Sequence, residues 1–211
     1  LNWETGGAVS FDIKNTAIPT INGAGGWSVT EMSGEISSPN FTESLSISIN
    51  GTLAEYDIPR GTVRIKTQLA NPVQKGVFVF DDQNLVGSIE LDDVPTSILS
   101  PLLSVAHIDT GRDLGPTMNM RIERISEGPP LTVIFNTRDL QVSGIVDQDN
   151  GVITDINIVA DVHTELLQSL TAGQLEGSAK VTIHLDRLVP AGYSSNDEPE
   201  CVGHVVVDGE L

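Results

Sequence analysis

Apolar and polar residues alternate with a period of two along much of this chain. The clearest runs are Leu45-Ser46-Ile47-Ser48-Ile49, Val63-Arg64-Ile65-Lys66-Thr67-Gln68-Leu69, Met118-Asn119-Met120-Arg121-Ile122 and Val181-Thr182-Ile183-His184-Leu185. Successive side chains of a strand point to opposite faces, so each run predicts a strand with one apolar and one polar face. Turn signals separate the runs: Asn22-Gly23, Ile58-Pro59-Arg60-Gly61, Asn71-Pro72, Gly128-Pro129-Pro130 and Asp149-Asn150-Gly151. Their spacing predicts about a dozen short strands, mostly antiparallel. The expected fold is mainly β: an elongated twisted antiparallel sheet, in half-barrel or groove form, with two short helices. Residues 1–211 read as a single β-rich domain. The segment Val77-Phe78-Val79-Phe80 is apolar on both faces, as in a buried central strand packed under a helix or a strand lying along a groove. Residues 191–203 are the most polar stretch and read as a long loop.

The pattern also repeats. Asp93-Val94-Pro95-Thr96 and Asp161-Val162-His163-Thr164 share D-V-x-T, and each is followed by a Leu-rich stretch, a Gly-bearing loop and an alternating segment ending in Arg-Ile or Arg-Leu. The repeat covers about 85–125 and 153–188 and predicts a short helix, a loop and a strand in each copy. The helices are expected over roughly 95–105 and 163–171. Thr164 is placed to cap the second. Pro101 implies that the first begins as a 3₁₀ turn followed by a helix capped at Ser100. Repeats of this size build walls from stacked units, which favours an extended surface over a pocket enzyme.

Composition narrows the partners. Lys plus Arg number 11 against 29 Asp plus Glu, a net charge of −18, which repels phosphate backbones and removes nucleic acid from consideration. Cys201 is the only cysteine, so neither an intrachain disulfide nor a Cys-rich zinc site is expected. There is no run of 18 apolar residues. Both ends read as cut from a longer protein, and any membrane anchor or export signal is expected in flanking sequence.

Chemistry-bearing motifs are sparse. Asp147-Gln148-Asp149-Asn150-Gly151 looks like the opening of a calcium loop, but the twelfth position holds Ile158 in place of a bidentate Glu, so a hairpin turn is expected. His184 and Asp186 share one face of a strand, a geometry suited to two metal ligands or to a base with its orienting carboxylate. Two groups make no site, and a structural role is expected. No Gly-x-Ser-x-Gly elbow, His-Glu-x-x-His helix or phosphate loop occurs. The chain is therefore expected to be non-enzymatic, without cofactor or metal. Asn40-Phe41-Thr42 and Asn50-Gly51-Thr52 fit the glycosylation sequon.

Leu85 to Leu99, Leu114 to Met120, and the string from Ile153 through His163-Thr164-Glu165-Leu166-Leu167 to Leu188 together resemble the AsmA-like proteins of diderm bacteria, across roughly residues 45–190. The resemblance implies a periplasmic or cell-envelope protein, anchored by flanking sequence, that binds or conducts lipid along a hydrophobic β-groove; lipid and envelope proteins are the implied partners. The side chains expected to line such a groove are Leu45, Ile47, Ile49, Val63, Ile65, Met118, Met120, Ile122, Val181, Ile183 and Leu185. The same alternation would also bury the core of a closed β-sandwich adhesion or carbohydrate-binding module. Few aromatics are available for stacking on sugars: beside five Phe there are Trp3, Trp27, Tyr56 and Tyr193.

Overall fold

A computed structural model of the chain describes residues 5–17, 27–55, 58–80, 84–100, 109–126, 128, 130–147, 149–164, 177–190 and 198–210. Among them are thirteen strands: β1 (Gly7–Ala17), β2 (Trp27–Ser38), β3 (Ser44–Glu55), β4 (Ile58–Ala70), β5 (Val73–Gln74), β6 (Val77–Phe78), β7 (Leu85–Pro95), β8 (Thr117–Arg124), β9 (Pro130–Thr137), β10 (Leu140–Asp147), β11 (Val152–Val162), β12 (Ser178–Val189) and β13 (Glu200–Glu210). Eleven form one antiparallel sheet in the order β1-β2-β3-β4-β7-β8-β9-β10-β11-β12-β13, while β5 and β6 pair separately. Strands β1 and β13 each have one neighbour, so the sheet is not closed into a barrel. The fold is thus mainly β, as the alternation implies. By compactness the chain divides into residues 1–94 with 121–129, and residues 95–120 with 130–211, called here the first and second units.

The 3₁₀ turn expected ahead of the first helix is found, and the sequence reading is corrected by one further helical turn. Thr96–Leu99 is a single 3₁₀ turn, and the helix found nearby is the one-turn α1 (Thr110–Asp113), which the sequence reading does not anticipate. The remainder of both expected helices, at 101–108 and 165–176, lies outside the described residues. Asp109 caps α1, its side chain accepting from the Arg112 amide.

The Val77–Phe80 expectation is also corrected. Strands β5 and β6 form a two-residue hairpin whose turn, Lys75-Gly76, takes positive φ at both central positions, as a two-residue turn between twisted strands requires. Val77, Phe78 and Phe80 are exposed rather than buried under a helix. The expected loop at 191–203 ends early, since β13 begins at Glu200.

Most buried apolar residues of the strands lie near strand ends, with Ile156 in the middle of β11 an exception. In the first unit Leu45, Leu53, Ala54 and Leu69 sit one or two residues from an end of β3 or β4, and Val73 beside them packs in the β5–β6 hairpin. In the second unit Met118, Ala179 and Val189 occupy the same kind of position in β8 and β12.

Candidate functional site

Directly paired residues of neighbouring antiparallel strands share a face, so the register shows which side chains gather. In the first unit Val9, Ile36, Ile47 and Thr67 form one cross-strand row on β1 to β4. Phe11, Gly34, Ile49, Ile65 and Ile89 form the next, and Ile13, Met32, Gly51, Val63 and Leu91 the third. Leu45, paired with Leu69, lies on this same face of β3. Five of the expected lining residues, Leu45, Ile47, Ile49, Val63 and Ile65, are therefore on one apolar face. Leu45 is buried, and the other four are partly exposed. The one other sheet among the described residues is the two-residue pair β5–β6. Val9 is 66% exposed, and Ile36 and Ile89 are each 38% exposed.

Phe11 lies over Gly34, where a Cβ would meet its ring at 2.4 Å, so the aromatic occupies the space of the missing side chain. At Gly51 the third row has a notch between Val63 and Val29. An open depression of about 640 Å³ is lined by Ile13, Met32, Gly51 and Val63 and by their strand neighbours, which include Glu31 and Arg64.

The opposite face of this unit is polar and carries an ion-pair network. Arg64 pairs with Glu90 at 3.2 Å and with Asp92, and Arg121 pairs with Glu90 at 3.2 Å and with Glu123 at 2.7 Å. Arg121 thus stands on the polar side, which puts Ile122 of β8 on the apolar side. Met118 and Met120 alternate in step with Ile122 on β8; Met118 is buried and Met120 partly exposed.

In the second unit Phe135, Val142, Ile158, Ile183 and Val205 form a cross-strand row, with Ala160, Val181 and Val207 in the next. Val181, Ile183 and Leu185 share this face, and all three are partly exposed. The face persists because bulges shift the phase of the alternation. On β11 the apolar set moves from Ile153 to Ile156 across Asp155, whose φ is 51°. On β12 it moves from Leu185 to Leu188 across the register shift at Asp186. One extra residue in a bulge keeps the next apolar side chain on the same side.

The repeated threonines bind carbonyls just ahead of the next strand. Thr96 is fully buried, and its hydroxyl lies 2.5 Å from the Gly115 carbonyl and 3.2 Å from that of Thr110. Its amide donates to the Pro116 carbonyl at 3.2 Å. Thr164 does the equivalent, its hydroxyl donating to Gly177 at 2.7 Å. Each threonine therefore clamps the chain just before the next strand. Pro95, rather than Thr96, occupies the cap position of the 3₁₀ turn.

Two buried carboxylates stand near these clamps. Asp113 is held by Arg112 and accepts from the Asp109 amide at 2.9 Å. Asp139 is held by Arg138 and lies 3.1 Å from His163 Nε2. The guanidinium beside each holds its carboxyl below the ordinary value, and His163 adds to the effect at Asp139. A folded value below the unfolded one contributes stability that is present above the unfolded value of about 4 and lost as pH falls through the folded one. Urea midpoints are therefore expected to hold steady from neutral pH to about pH 5 and to fall below about pH 4, with the double variant Asp113→Asn/Asp139→Asn less stable at neutral pH and showing a flatter acid limb.

His184 Nδ1 lies 2.7 Å from Asn157 Oδ1 and its Nε2 3.2 Å from Asp186, while its ring sits 5.4 Å from that of His204 on β13. Both nitrogens thus meet acceptors, which anchors the imidazole between three strands. No group of three or more His, Cys, Asp or Glu side chains suited to a metal ion occurs among the described residues. A polar depression of about 460 Å³ joins Asp139 and His163 to Asp161, Ser178, Lys180 and Asp208.

At Asp147 the carboxylate accepts from the amides of Asp149 and Asn150 and from the Asn150 side chain. These bonds, the side-chain one foremost, lower its pKa and make the motif an Asx turn joining β10 to β11. The Asn40 side chain is similarly engaged in a turn with Thr42 and Glu43, and Asn50 lies exposed within β3. No described helix is long and apolar enough to cross a membrane. No protein-family model matches the sequence, and no curated protein or solved structure matches it.

Proposed function

We propose that the apolar face of the sheet is a non-enzymatic binding surface for lipid acyl chains, in a cell-envelope or periplasmic protein resembling the AsmA-like family. One observation carries this reading: mid-strand Ile and Val side chains of β1 to β4 and β7 stand in register on one face yet keep a substantial part of their surface open. Burying apolar surface is favourable by about 25 cal/mol per Å², so such rows attract an apolar cover. An extended acyl chain suits shallow rows of branched aliphatic side chains, in which the ring of the first unit's rows, Phe11, is laid over Gly34, whereas a sugar would call for rings free to stack. Ile47, Ile49, Val63, Ile65 and Ile122 supply the surface in the first unit, and Val181, Ile183 and Leu185 supply one in the second. A closed sandwich would have sealed the same side chains between two layers.

The test places one charge on either face. Ile49→Lys and Ser48→Lys add the same ammonium to adjacent positions of β3. Binding of a fluorescent polyene fatty acid is expected to weaken by about tenfold or more in Ile49→Lys and to stay within about twofold in Ser48→Lys, because desolvating an ammonium against a hydrocarbon chain costs more than the roughly 1.4 kcal/mol of a tenfold change. Equal effects in two variants that both unfold cooperatively would remove the apolar face from the account.

A further inference from the structure

The β5–β6 hairpin presents apolar side chains to solvent on a fixed support. Val77, Phe78 and Phe80 are 63%, 51% and 65% exposed. The base of the hairpin is built from other groups: the Asn71 amide donates to the Glu43 carbonyl at 2.8 Å, the Val79 amide donates to the Pro72 carbonyl at 2.8 Å, and Pro72 and Val73 are buried. The outer side chains are thus held out to solvent by contacts they do not themselves make. Within residues 71–80 the one charged side chain is Lys75, at the turn. Asp81 and Asp82 follow in sequence, and the whole chain carries −18.

We propose that this hairpin docks on a zwitterionic phospholipid membrane, with Val77, Phe78 and Phe80 at the boundary between headgroups and acyl chains and the Lys75 ammonium among the phosphates. The two faces of the hairpin are the main argument. Val77 pairs with Gln74 and Phe78 with Val73, and successive side chains of a strand point to opposite faces, so apolar surface is exposed on both sides of the ribbon. A folded partner lies against one side and leaves the other wet, whereas a fluid interface closes round both. Side-chain type agrees. Phenylalanine suits the headgroup–acyl boundary, and a lysine beside it keeps its ammonium in the polar layer while its stem stays in contact with apolar groups. The depth required is small, about 5–10 Å. The excess of carboxylates selects the kind of membrane, because anionic headgroups would repel the rest of the chain at long range. Docking through the hairpin does not require an acyl chain on the sheet.

Cosedimentation of the full chain with phosphatidylcholine vesicles tests this. The chain is expected to bind, and at low salt to bind less as phosphatidylglycerol replaces phosphatidylcholine. Phe78→Ser/Phe80→Ser should weaken binding by about tenfold or more, while Val202→Ser/Val206→Ser, which removes side chains exposed to a similar degree on β13, should change it by less than about twofold. In a Cys201→Ser background, an environment-sensitive dye on Val77→Cys and one on Phe78→Cys, on opposite faces, should both brighten when vesicles are added, and one on Val206→Cys should not. Absence of vesicle binding overturns the proposal. So does an equal loss in the two double variants, or binding that brightens neither hairpin dye or only one. Fatty-acid binding reports on the sheet face and the hairpin dyes report on docking, so the two readings fail separately.

Discussion

Gly87→Ala is expected to destabilise the first unit by about 3 kcal/mol or more, the largest single effect in the molecule. Two separate reasons combine. Gly87 has φ near +147°, a conformation L side chains avoid, and a Cβ there would lie 2.1 Å from the Lys66 carbonyl oxygen and 2.7 Å from Thr67 Cα. The obstacle is backbone, which cannot swing aside as a side chain can. Gly87 pairs with Thr67, so relief requires β7 to part from β4, and with it goes the row of Ile65 and Ile89 beside it. Gly76→Ala separates the two causes. Gly76 also has positive φ, +80°, but nothing lies within 4 Å of its Cβ position, so that variant should lose only about 1 kcal/mol. Urea unfolding measures both, and hydrogen exchange should localise the Gly87 effect to the amides of β4 and β7.

Thr96→Val follows, with an expected loss of about 2 kcal/mol. Valine keeps the shape and removes the hydroxyl. The hydroxyl has one proton, and the 2.5 Å approach marks the Gly115 carbonyl as its main acceptor; the Thr110 carbonyl keeps the Leu114 amide as a donor at 3.1 Å. Gly115 is buried, so the variant strands one carbonyl away from water, which is more costly than losing an exposed bond. Thr164→Val removes the matching bond to Gly177 where the site is only partly buried, and should lose about 1 kcal/mol. Equal losses at the two threonines, seen in urea unfolding of the separate variants, would mean that burial does not set the strength of the clamp.

Much of the sheet is legible as alternation, because period-two patterning is a direct image of the pleat. The runs at 45–49, 63–69, 118–122 and 181–185 all fall within strands, and within each the apolar members share a face. What alternation hides is phase. Asp155 and Asp186 look like interruptions in sequence, yet each sits where an extra residue returns the next apolar side chain to the same face. The positive φ at Asp155 fits an Asp, whose short polar side chain tolerates that conformation. The repeated D-V-x-T is visible as a pattern, but helix-cap reasoning does not reach the carbonyls that the two threonines bind. Their acceptors lie 13 and 19 residues downstream, and local propensity holds no information about contacts at that distance. Val77–Phe80 misleads for a related reason: an apolar run signals burial only when something packs on it, and Lys75-Gly76 folds this one back on itself. His184 and Asp186 do meet at 3.2 Å, as their spacing allows, but Asn157 and His204 join them only through the register of β11 and β13.

The central claim is that one face of the sheet, and not the other, receives acyl chains. Photolysis of a diazirine-labelled fatty acid bound to the full chain, followed by mapping of the adducts, addresses it most directly. The account predicts adducts at Ile47, Ile49, Val63 and Ile65, alternating with unlabelled Ser46, Ser48, Arg64 and Lys66 along β3 and β4. Adducts spread evenly over adjacent positions, or confined to the polar residues, would contradict it.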